Sequence, residues 1–148
     1  MTIDCTTYQM ILVDCSSEYW EFIRNLRNNP EVLDGFINTS HITKEQQYKY
    51  MKINNVHFKV CLFDGEPCGY FGVINKDIRI CTHPNHQRKG VGLFMLNQIT
   101  EFYPEAIGKV KKDNHKSKAL FEAAGFSVKR NTDEFYFFSY IERASQWK

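Results

Sequence analysis

The residues in this chain best suited to holding a charged ligand are Gln87-Arg88-Lys89-Gly90-Val91-Gly92. They follow a strand-like run, Asp77 to Thr82, and open a helix-like run, Val91 to Phe102. Two glycines let backbone come close to a ligand, and the unpaired N–H groups at a helix start favour anionic oxygens such as a pyrophosphate. The segment therefore points to a nucleotide-containing cofactor, although the same glycines also suit a plain strand-to-helix turn.

Template matching narrows the choice. A P-loop fails, because Asn85 holds its first glycine position and Val91 follows Gly90 where lysine is required. A dinucleotide fingerprint is incomplete, because Met95 occupies the third glycine position, although Asp113 lies at about the right distance beyond. The spacing that fits is Gln/Arg-x-x-Gly-x-Gly/Ala after a strand that runs into His83-Pro84. It resembles the acetyl-CoA-binding signature of the GNAT superfamily of N-acetyltransferases. A second stretch, Lys109 to Phe126, is similar to that family's strand, Asn-x-x-Ala/Ser-x-x-Leu-Tyr/Phe and Gly-Phe pattern, carried here by Asn114, Ser117, Leu120, Phe121, Gly125 and Phe126.

The resemblance implies an acetyl-CoA-dependent acetyltransferase. Backbone of Ile80, Cys81 and Thr82 would pair with the pantetheine arm and supply an oxyanion donor, worth about 3 kcal/mol if comparable to other such donors. Gln87, Arg88, Lys89, Gly90, Val91 and Gly92 would hold the pyrophosphate, and Asn114, Ser117 and Phe121 match positions along the coenzyme arm. Two departures stand out. Phe121 occupies the place where a tyrosine general acid often stands, and Lys109 replaces the glutamate base of some protein-acetylating relatives. A thiol of pKa about 8.5 is a tolerable leaving group, so the first departure does not by itself imply inactivity. Asp77 and His83, at the two ends of the cofactor strand, are the candidate bases. Cys81 reads as a packed thiol rather than an acyl carrier.

The acceptor is less legible. Arg27-Asn28-Asn29-Pro30-Glu31-Val32 and Ile42-Thr43-Lys44-Glu45-Gln46-Gln47 resemble segments of relatives that acetylate amino sugars on sugar nucleotides. Phe36 and Asn38 are candidate cleft residues, and Phe36 equally suits a core. The alternatives are acetylation of a protein N-terminus or lysine, a coenzyme-binding module without turnover, and an oxidoreductase.

Composition fits this chemistry. The 148 residues are 43% hydrophobic and 15% aromatic, enough for one domain, residues 1–148, to bury its own core. A net charge of +2 is too balanced for a nucleic-acid binder, although five of the ten residues Lys109 to Lys118 are lysines. Those lysines suit either a solvated surface or a rim for phosphates. Five cysteines, Cys5, Cys15, Cys61, Cys68 and Cys81, show neither disulfide-framework nor zinc-ribbon spacing. His83-x-x-His86 lacks further ligands nearby, so no metal is expected. Neither a signal peptide nor a membrane span is visible, which suggests a cytoplasmic protein. The resemblance implies a small-molecule amine acceptor, and the protein is expected to act as a monomer or homodimer.

The elements that must position these residues follow from periodicity. Strands are expected at Tyr8–Val13, His57–Phe63, Cys68–Ile74, Asp77–Thr82, Ile107–Lys111, Ser127–Arg130 and Glu134–Ile141. Helices are expected from Tyr19 to the break at Pro30, from the Thr43-x-x-Gln46 capping box to Lys52, over Val91–Phe102 and over Ser117–Ala124. The fold class is α/β (α+β): a mixed, mostly antiparallel sheet of about seven strands flanked by about four helices, as in the GNAT fold. The final strand is a candidate exposed edge for pairing across a dimer.

Overall fold

The structure is a computed structural model that describes residues 9–140. The calls on Cys5, Tyr8 and Ile141 lie outside the described residues. Chain order is β1 (Met10–Asp14), α1 (Trp20–Arg27), α2 (Pro30–Leu33), α3 (Lys44–Asn54), β2 (Phe58–Phe63), β3 (Glu66–Ile74), β4 (Asp77–Thr82), α4 (Val91–Phe102), β5 (Ile107–Lys111), α5 (His115–Ala123), β6 (Phe126–Asn131) and β7 (Phe135–Tyr140). The seven strands form one mixed sheet in the order β1-β2-β3-β4-β5-β7-β6. Every neighbouring pair is antiparallel except β4 and β5.

Local chemistry accounts for the breaks. Pro30 ends the first helical run and starts a short second helix, because proline suits the first helical position and Asn29 Oδ1 accepts from Glu31 N–H at 2.8 Å. This adds a fifth α-helix to the four expected. Thr43 and Gln46 form the reciprocal capping box at α3. The β2–β3 hairpin turns in two residues, Asp64 and Gly65, both at positive φ, rather than in the longer loop expected through Glu66 and Pro67. Pro67 is instead absorbed into β3: it pairs with Leu62, Gly69 pairs with Cys61, and Cys68 bulges between them, a place where a missing N–H is tolerated. Asn75 and Lys76 make the next two-residue turn, into β4.

The sheet buries both faces. Phe71, Val73, Ile78 and Phe138 of the sheet pack with Met95, Leu96 and Ile99 of α4 and Phe121 of α5. On the other side Phe58, Val60, Tyr70 and Cys81 pack with Ile23 and Leu26 of α1 and Met51 of α3. The expectation of a final strand at the edge is corrected: β7 lies between β5 and β6, and β1 and β6 are the edges. Among the described residues no helix is long and apolar enough to cross a membrane.

The one parallel junction is short. β4 and β5 pair only at Asp77 and Ile107, where Ile107 N–H donates to Lys76 O at 2.7 Å, and beyond that point the strands part. Phe121 from α5 packs beside the gap with its ring on the Gly108 backbone, so a Cβ built at Gly108 would stand 2.3 Å from the ring. Gly108→Ala should therefore cost about 1–3 kcal/mol of stability by overpacking. Urea unfolding checks this, and an unchanged midpoint would mean that the ring does not seat on β5.

Candidate active site at the strand gap

Antiparallel register fixes which peptide groups face the gap. His83 N–H donates to Cys68 O at 2.7 Å, and residues across β3 and β4 alternate between bonded and non-bonded pairs, with Cys81 opposite Tyr70 and Ile80 opposite Phe71. The peptide groups of Ile80 and Thr82 consequently point away from β3, into the gap, whereas those of Cys81 are spent on β3. Of the three residues expected along the pantetheine arm, two turn their backbone groups into the gap. The Cys81 side chain is buried on the α1 and α3 face, where desolvation pushes its thiol up to about 12 with Arg27 opposing.

Beyond Thr82 the chain reaches the glycine turn. Arg88 and Gly90 adopt positive φ, and Gly90 is the N-cap of α4. No side chain caps α4, although Asn29, Thr43 and Asn114 cap α2, α3 and α5. The first N–H groups of α4, like those of α1, have no side-chain acceptor, and at α4 Gln87, Arg88 and Lys89 are exposed beside them. Val91 is core, 1% exposed. A Cβ at Gly92 would come within 2.9 Å of Leu120, so this glycine lets α4 pack on α5. An uncapped helix start with flanking cations next to two open strand peptides fits the pyrophosphate and amide-bearing arm of acetyl-CoA.

The gap opens into a cleft of about 690 Å³, lined by β4, β5 and α5 on one side and α1, α3 and their connection on the other. Asp77, Ile80, Asn114, Ser117 and Phe121 line it, as do Phe36 and Asn38. Asn114 Oδ1 accepts from Ser117 N–H at 3.1 Å, so capping α5 and facing the cleft are compatible. Phe121 is 3% exposed and stacks on Phe138, which explains a ring without a hydroxyl at this position. The Asn38 side chain accepts from Ser40 N–H within its own loop.

The two candidate bases separate. Asp77 lines the cleft where the gap closes, ion-paired to Arg79 (Oδ2 to Nε, 3.2 Å), and Arg79 Nη1 donates to the Tyr50 hydroxyl at 2.6 Å. His83 does not line the cleft: its ring stacks near Phe22, and its Nδ1 accepts from Asn85 N–H at 3.1 Å. Next to it, burial first and then Lys89 and His83 hold His86 below the usual histidine range. Among the described residues no group of three or more His, Cys, Asp or Glu side chains could hold a metal.

Sequence reasoning missed Arg27, His41, Tyr50, Tyr70 and Arg79, all of which line the cleft. Tyr50 follows Gln46 by one helical turn, and Arg79 alternates with Ile80 on β4, so periodicity placed both without showing what they face. Burial holds Tyr70 protonated, well above the usual tyrosine range, and Cys81 reinforces this while Arg27 opposes it.

Comparison with known proteins agrees with this geometry. Residues 20–126 match the acetyltransferase (GNAT) family profile. Acetyltransferase PseH of Campylobacter jejuni is 24% identical over 139 residues, covering 84% of this chain and 87% of that protein. A domain from Methanocaldococcus jannaschii superposes with a TM-score of 0.77 at 17% identity, covering 89% of this chain and 97% of that one. The spermidine N-acetyltransferase of Vibrio cholerae, solved with CoA and spermine, gives 0.73 at 17% identity, covering 88% and 94%. The strand gap, the uncapped helix and the family match lead to one assignment: the chain belongs to the GNAT acetyltransferase family and uses acetyl-CoA as its acetyl donor.

Proposed function

We propose that this enzyme acetylates the primary amine of a small molecule, most specifically an amino sugar carried on a sugar nucleotide. The observation that carries the small-molecule reading is the cleft, which joins the open peptides of β4 to the α1 and α3 side. The Arg27–Val32 and Ile42–Gln47 segments, which resemble those of relatives that acetylate amino sugars on sugar nucleotides, support the sugar acceptor. The spermidine acetyltransferase relationship raises a polyamine as a second candidate. The cleft's charges argue against it, because its one acidic lining residue, Asp77, is already paired to Arg79 and offers a polycation little.

Acetyl-CoA supplies a thioester whose carbonyl carbon accepts the amine. The protein's part is to position and polarise. The α4 start would hold the pyrophosphate, and Thr82 and Ile80 would pair with the arm, which runs from that end of β4 toward Asp77. The Ile80 N–H would then stabilise negative charge developing on the carbonyl oxygen. Asp77 lies near the acetyl end of that path, whereas His83 lies about 20 Å further along at the pyrophosphate end, from six residues of strand rise. Asp77, directly or through one water, would take the amine proton, and as the C–N bond forms the C–S bond would break, releasing the coenzyme as a thiolate that takes its proton from solvent. Cys81 remains a protonated, buried thiol, which favours direct transfer over an acyl-enzyme.

The assay that tests this reading incubates the protein with acetyl-CoA and pooled amines, including amino-sugar nucleotides, polyamines and peptides, and identifies products by mass. An acetylated sugar nucleotide is expected. A peptide product, or no product despite coenzyme binding, would replace the reading with a protein acetyltransferase or a binding module. Asp77→Asn should lower kcat by roughly 10²-fold or more while leaving coenzyme affinity unchanged. An unaltered pH–rate profile in that variant would remove Asp77 as the base.

A further inference from the structure

The connection between α1 and α3 finds an internal task for most of its polar side chains. Asn28 clasps Ile42 at two points, donating from Nδ2 to its carbonyl at 2.8 Å and accepting its N–H at 2.9 Å. Asn29 caps α2, Thr43 and Gln46 cap α3, and Gln47 Nε2 donates to Trp20 O at 2.8 Å. Arg27 differs. Its guanidinium lies 4.4 Å over the Phe36 ring, and Nη2 donates to Asn38 O at 3.2 Å, but Nε is buried without an acceptor. None of the ion pairs among the described residues includes Arg27.

This cation also lines the cleft. Guanidinium offers five N–H donors and no acceptor, and a half-buried charge without a counter-ion is costly unless a ligand supplies one. The coenzyme's phosphates are not that partner, because Gln87 to Gly92 do not line this cleft. Of the charged lining residues, Asp77 and Arg79 satisfy each other, which leaves Arg27 and Lys109 without a counter-ion; both lie over a ring, but of the two only Arg27 has a buried donor without an acceptor. Arg27 faces Tyr70 and Cys81 on the floor of the acceptor side.

We propose that Arg27 anchors an anionic oxygen group, phosphate or carboxylate, borne by the acceptor amine. The inference rests on the small-amine reading above but not on the acceptor being a sugar. The Phe36 ring beneath the guanidinium limits its orientations, so a planar fork is already formed for such a group.

Two matched pairs of probes test it: glucosamine 6-phosphate against glucosamine, and glycine against glycinamide. Their binding to the protein saturated with coenzyme A is measured by calorimetry, so turnover is not required. At least one anionic probe should bind about tenfold or more tightly than its neutral twin, and the advantage should shrink as salt rises. Arg27→Gln should abolish the advantage with coenzyme affinity and melting temperature unchanged, and Arg27→Lys should retain part of it. Which pair responds tells phosphate from carboxylate. If Arg27→Gln does not fold, the wild-type salt titration and Arg27→Lys carry the test. Equal binding of both twins in both pairs, or an advantage that survives Arg27→Gln, would overturn the proposal. A response confined to glycine would sink the sugar reading while leaving the anion anchor intact, and acetylation of glucosamine without any anion advantage would do the reverse.

Discussion

A sheet that parts in its middle must leave main-chain polar groups unpaired, and this constraint organises the molecule. β4 and β5 share a single residue pair, so the Ile80 and Thr82 peptides lack a strand neighbour on one side. Unpaired backbone groups in a protein interior are costly. Here the cost is avoided because the gap is open, and a ligand with amide groups of its own can complete the ladder. Helices on both faces keep the two half-sheets apart: α5 sends Phe121 against Gly108 on one side, and α1 and α3 pack over Tyr70 and Cys81 on the other.

The same parting divides the chemistry. In the proposed assignment, donor recognition would be largely main chain, from two strand peptides and the uncapped start of α4, and would depend little on side-chain identity. Acceptor recognition would be side chain, from residues on α1, α3 and their connection that meet β4 across the cleft. The clasp of Asn28 on Ile42, the bond Asn55 Nδ2 donates to Cys15 O and the bond its Oδ1 accepts from Trp20 Nε1–H fix those helices against the sheet. Rigidity on this side allows a single arginine to act as a positioned charge rather than a mobile one. Between the two halves, the Asp77–Arg79–Tyr50 chain sits where the gap closes and a transferred acetyl group would meet an amine.

Local signals in the sequence were sufficient for local features. The Thr43 box and the strand, glycine turn and helix around Gly90 each depend on residues a few positions apart, and each forms where expected. Helix α2 was hidden because Pro30 read as a stop, whereas it also pre-sets φ for a first helical position. The strand gap was not legible in the sequence, since it depends on where long-range pairing ends. Placing β7 inside β6 is equally non-local, as sequence order does not give spatial order. Asp77 and His83 looked equivalent because both flank one strand, yet extended chain carries its two ends far apart. The role argued for Arg27 comes from a missing partner, which no periodicity can display.

The most direct test of this account is amide hydrogen exchange at Ile80, Cys81 and Thr82, with and without saturating coenzyme A. The account expects Ile80 and Thr82 to exchange quickly in the free protein and slowly in the complex, while Cys81, bonded to β3, stays protected in both. Protection of Ile80 and Thr82 in the free protein, or exchange that the coenzyme leaves unchanged, would contradict the claim that the parted strands form the acetyl-CoA site.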